Sequence, residues 1–91
     1  MKIESKFAIL EVLGDVLIFK NKVVNKYKKN IYNFKIEKVE DIEKLKDFLK
    51  KFNKNMYINF FYDIENDKIE IELENNKTSK IIDSIIIDVI D

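Results

Sequence analysis

Residues 7–19 read Phe7-Ala8-Ile9-Leu10-Glu11-Val12-Leu13-Gly14-Asp15-Val16-Leu17-Ile18-Phe19, two apolar runs around the only glycine in the chain. Glycine at the first central position of a two-residue loop suits a type II′ turn, because it adopts positive φ without a Cβ clash. The β-branched residues on both sides fit strands. This stretch therefore predicts a β-hairpin whose second strand runs on toward Val24. A competing reading makes 5–27 one long helix, with Ile9, Leu13, Val16, Leu17, Val24 and Tyr27 roughly along one side. In that helix Gly14 is unfavourable by only about 1 kcal/mol. The fold class turns on this fork: the hairpin starts an α+β sheet, whereas the helix precedes a β-α-β-β-α remainder.

Downstream the periods are easier to separate. Ile31–Val39 alternates, with Tyr32, Phe34 and Ile36 on one face and Asn33, Lys35 and Glu37 on the other, as a half-buried strand does. Over Glu40–Phe52 the apolar residues Ile42, Leu45, Phe48, Leu49 and Phe52 recur at helical spacing. Acids crowd the start of that segment and lysines its end, which complements the helix dipole, and Asp47 and Lys51 form an i,i+4 pair. Met56–Ile64 alternates again, Glu65-Asn66-Asp67 reads as a turn, and Lys68–Glu74 sets Ile69, Ile71 and Leu73 against Lys68, Glu70, Glu72 and Glu74. This is a second hairpin with one acidic face in water. Asn75–Ser79 then supplies a turn and a helix cap. Ile81, Ile82, Ile85, Ile86, Val89 and Ile90 follow a helical stripe, although β-branching lowers helix propensity and Asp88 and Asp91 oppose the dipole.

The expected fold is α+β: residues 1–91 form a single small domain, a mostly antiparallel sheet of about five strands with two helices packed on one face, in the order β-β-β-α-β-β-α. An apolar content of 46% is enough to fill such a core and argues against disorder despite 37% charged residues. The chain has no Cys, His, Arg, Trp, Pro or Gln, and every basic side chain is Lys. Lys, Asn, Ile, Phe and Tyr have A+T-rich codons, so the bias points to a low-G+C genome or to a phage or mobile element of such a host. Without cysteine there is neither a disulfide framework nor a thiolate metal site. Glu11 and Asp15 interrupt any secretory apolar core, and the run 81–90 is too short and too charged to span a bilayer, so a cytoplasmic protein with no membrane partner is expected.

Charge is zero in sum but divided. Six lysines and no acid lie between Lys20 and Lys35, whereas nine acids and three lysines lie between Phe61 and Asp91. The acidic part is the first candidate surface: Asp63, Glu65, Asp67, Glu70, Glu72 and Glu74. The positions of Asp63, Glu65, Asp67 and Glu74 resemble an EF-hand ligand pattern, but Lys68 stands where the loop needs glycine and both flanks read as strands. Neither a metal nor any other cofactor is expected. The basic part offers Lys22, Lys26, Tyr27, Lys28 and Lys29, a set able to combine phosphate attraction with base stacking, though no arginine is present for bidentate contacts. No histidine is available for acid–base work near neutrality or to activate Ser5, Thr78, Ser79 or Ser84, and no glycine-rich phosphate loop exists. The sequence thus leads to a non-catalytic module that binds a protein partner, of the kind that phages and mobile elements encode as inhibitors of a host protein or defence system. The alternatives are a nucleic-acid binder using the Lys20–Lys35 stretch and a homo-oligomer, such as a homodimer, in which basic and acidic surfaces meet.

Overall fold

The computed structural model describes residues 1–23, 26, 27 and 29–90. Its strands are β1 (Lys2–Glu4), β2 (Ala8–Leu13), β3 (Val16–Asn21), β4 (Ile31–Ile36), β5 (Met56–Asp63), β6 (Lys68–Asn75) and β7 (Ile81–Ile90), with one helix, α1 (Val39–Leu49), between β4 and β5. All neighbouring strands are antiparallel, in the order β1-β2-β3-β4-β7-β6-β5. Two meanders, β1–β4 and β5–β7, meet at β4 and β7, where the described residues give the pairs Lys35↔Ile90 and Ile36↔Val89 and the Glu37 N–H donates to the Asp88 carbonyl at 3.1 Å.

The fork at Gly14 resolves as the hairpin. Leu13 pairs with Val16, and Gly14 has φ +59° while Asp15 stays out of the positive region, the pattern a type II′ turn requires. Strands β2 and β3 occupy the place of the long N-terminal helix, and no helix forms among the described residues of 5–27. Val24, toward which the second strand is expected to run, lies outside the described residues, as do Asn25 and Asp91.

The expected architecture of five strands and two helices is corrected in two places. Lys2–Glu4 is a strand that sequence reading missed; it pairs with β2 after a tight turn in which the Ser5 N–H donates to the Ala8 carbonyl at 2.8 Å. The second correction is larger: 81–90 is not a helix but the longest strand, β7, placed between β4 and β6. What precedes it is a hairpin loop rather than a helix cap. Asn75 Oδ1 accepts from the N–H groups of Lys77 and Thr78, and Ser79 sits at φ +59°. The β-branched run prevails because isoleucine and valine lose χ1 freedom in a helix and pack readily on a pleated surface. The molecule is therefore mostly β.

A single buried cluster takes Ala8, Leu10 and Val12 from β2, Leu17 and Phe19 from β3, and Phe34 and Ile36 from β4. It continues with Ile58 from β5, Ile69, Ile71 and Leu73 from β6, and Ile87 and Val89 from β7. Leu45, Phe48 and Leu49 of α1 join it, and the helix lies against β7 and β4. The sheet is strongly curled. Four strand spacings separate β3 from β5, about 19 Å in a flat sheet. Yet the Phe19 and Phe60 rings stack with centroids 4.4 Å apart, and Phe34 meets Tyr62 edge-on at 4.7 Å. Curling brings the inner faces of the two meanders together and leaves one outer face on each. Among the described residues no helix is long and apolar enough to cross a membrane.

Candidate functional site

β6 is the middle strand of its meander, so each of its outward side chains has a cross-strand neighbour on both sides. Asp63 and Asp88 flank Lys68; Phe61 and Ile86 flank Glu70; Asn59 and Ser84 flank Glu72; Tyr57 stands beside Glu74. The acidic row is thus a stripe along the centre of the outer face, bordered by apolar groups at Glu70. Phe61 is 52% and Ile86 61% exposed. Phe61, Lys68, Glu70 and Ile86 border a shallow depression of ≈ 210 Å³. Asn59 Nδ2 donates to Glu74 at 3.1 Å and to Glu72 at 3.5 Å, which orients both carboxylates.

The six predicted acids do not act alike. Glu70, Glu72 and Glu74 share the outer face, each half-buried by its neighbours. Asp63 is occupied with the turn: Oδ2 accepts from Asn66 Nδ2 at 2.8 Å and Oδ1 from the Asn66 N–H at 3.3 Å. These bonds hold its carboxyl below the ordinary range. Asp67, at φ 48°, accepts from the Tyr62 hydroxyl. Glu65 is exposed in the loop. Among the described residues no three acidic side chains converge as a metal site would require.

At one end of the stripe Asp88 receives Lys38 Nζ at 2.9 Å and Lys68 Nζ at 3.1 Å. The hydrogen bond from Lys38, followed by that from Lys68, lowers the Asp88 carboxyl from its usual value. Near β7's start Asp83 pairs with Lys51 of the segment after α1, and that bond likewise lowers the Asp83 carboxyl. The helix is shorter than Glu40–Phe52, ending at Leu49, and Lys51 reaches Asp83 rather than Asp47, which pairs with Lys50 at 3.5 Å.

The basic candidates lie after β3, away from the stripe in sequence and in strand order. Lys22 is held internally, donating to the Ser5 carbonyl at 3.3 Å and pairing with Glu4 at 3.4 Å. Lys26 lies 5.1 Å over the Tyr27 ring, and Lys29 lies 5.7 Å over that of Tyr32. Tyr27 is 84% exposed. Lys28 lies outside the described residues. The stripe's apolar borders were only partly legible: Phe61 falls on the outward side of its strand by alternation, whereas Ile86 was assigned to the buried side of a helix that does not exist.

Comparison with known protein families, with curated proteins and with solved structures finds no match. The residues themselves carry the functional reading.

Proposed function

We propose that this protein is a cytoplasmic, non-catalytic module that binds another protein through the outer face of β5–β6–β7. The supporting observation is the row Phe61–Glu70–Ile86, where two exposed apolar side chains stand on either side of a carboxylate, continued by Glu72 and Glu74. Apolar groups next to oriented charges match the anatomy of a recognition surface, in which buried apolar area supplies affinity and charge supplies orientation. The complementary surface is apolar with two or three cationic groups spaced along one line. A module of this kind acts by occlusion, covering a surface that its partner needs, which is how an inhibitor of a host protein works.

The test is capture from a low-G+C host lysate with the wild type and with Glu70→Lys/Glu72→Lys, each treated with nuclease and each checked for fold by circular dichroism. A protein held by the wild type after nuclease treatment and released by the double reversal supports the reading. Retention by a folded double reversal removes the acidic stripe from the contact. Loss on nuclease treatment transfers the interaction to the lysines after β3 and to a nucleic acid.

A further inference from the structure

The two edges of the sheet differ in kind. β1 is three residues long and carries Lys2 and Glu4, a short charged edge of the sort that resists pairing. β5 is eight residues long, contains neither Lys nor Pro, and pairs with β6 without a bulge. Its register reveals which backbone groups are left over. The Asn76 N–H donates to the Asn55 carbonyl, and the Val89 N–H to the Asp67 carbonyl. Hydrogen-bonded and non-bonded pairs alternate along an antiparallel ladder, so the odd-numbered residues of β5 bond to β6. Ile58 and Phe60 consequently turn their N–H and C=O groups to the free edge. Among the described residues no strand pairs with that edge, although the Phe7 ring reaches Tyr57 at 5.4 Å.

We infer that β5 pairs antiparallel with β5 of a second copy of this chain, across a two-fold axis at Asn59. This register sets Ile58 of one copy opposite Phe60 of the other, joining free groups to free groups and keeping inner side chains with inner ones. Charge selects a second copy as the occupant. Lys54 precedes the strand, while Asp63 and Glu65 stand at its far end, and neither Lys54 nor Glu65 is in an ion pair among the described residues. The two-fold brings Lys54 of each copy beside Asp63 and Glu65 of the other, so the match is made twice; parallel pairing would set acid against acid. The two glutamate rows on β6 end about 14 Å apart, three strand spacings, which exceeds the screening length of about 8 Å at physiological salt. This pairing is independent of any partner on the outer face.

The experiment is light scattering of the full chain over a concentration series up to about 1 mM, where even millimolar affinity registers, with backbone amide exchange on the same samples. The expected mass climbs from 10.9 kDa toward twice that value, and exchange at Ile58 and Phe60 slows as concentration rises. Lys54→Glu weakens the dimer several-fold, and Lys54→Glu/Glu65→Lys restores it. A monomer throughout the series overturns the inference. So does a dimer in which those two amides stay unprotected, a double variant that fails to restore pairing, or protection that appears only on adding another protein.

Discussion

At the level of single residues, Gly14 is constrained by conformation alone. A Cβ built there meets nothing within 4 Å, yet φ is +59°. Gly14→Ala should therefore lower stability by about 1–2 kcal/mol, the left-handed penalty without any clash, in urea unfolding. Asn, which tolerates this region, should lose less. Asp88 makes a second residue-scale prediction. Lys38 and Lys68 hold its folded-state carboxyl below the unfolded value of about 3.9. The contribution of these pairs is complete above that value and disappears as pH falls through the folded one. Lys38 is raised by the same contact, so its share is present below about pH 10.4 and lost as pH rises through the raised value. Asp88→Asn should lower the urea midpoint at neutral pH, and its difference from the wild type should close as pH falls through the lowered folded-state value, beneath which both side chains are uncharged.

Among the elements, β7 separates a strand from a helix most sharply. A helical stripe would bury Ile86 and leave Ile87 off it; the strand does the reverse, with Ile87 buried and Ile86 exposed. Ile87→Ala should destabilise by about 2–5 kcal/mol, whereas Ile86→Ala should stay within about 0.5 kcal/mol. Equal losses at the two sites would contradict the strand. Leu45 is fully buried where α1 meets the sheet, so Leu45→Ala belongs in the same 2–5 kcal/mol range. The helix is short and derives its stability from this packing more than from its own propensity. Its periodicity, like that of β4 and β6, was legible because each has one buried and one wet face. β7 carries isoleucine on both faces, Ile85 and Ile87 inward and Ile82, Ile86 and Ile90 outward, so its period of two was hidden.

For the molecule as a whole, closure of the curl depends on rings from both meanders. Phe19 and Phe60 are four strands apart in the sheet but stacked in space. Phe19→Leu and Phe60→Leu should be non-additive by about 0.5–1.5 kcal/mol in a double-mutant cycle, since the stacking energy is lost only once. Additive losses would indicate that the meanders pack independently. Among the described residues the β4–β7 ladder is short, and it has little with which to fix the curl alone. Side-chain packing between the inner faces, together with α1, supplies the rest.

Local chemistry was enough to mark β4, β5, β6 and the helix from the sequence and to offer the turn at Gly14 as one branch of a fork with a long helix, because alternation, helical spacing and positive-φ tolerance are properties of short windows. It was also enough to mark Glu70, Glu72 and Glu74 as one outward row and to separate the lysines from the acids along the chain. The tertiary structure decided which strands became neighbours, that the C-terminal isoleucines extend rather than coil, and that Phe61 and Ile86 border the acidic stripe. The physical reason is that β pairing joins residues distant in sequence. A segment apolar on both faces takes its conformation from the neighbours that cover it, and those neighbours are not written in the segment.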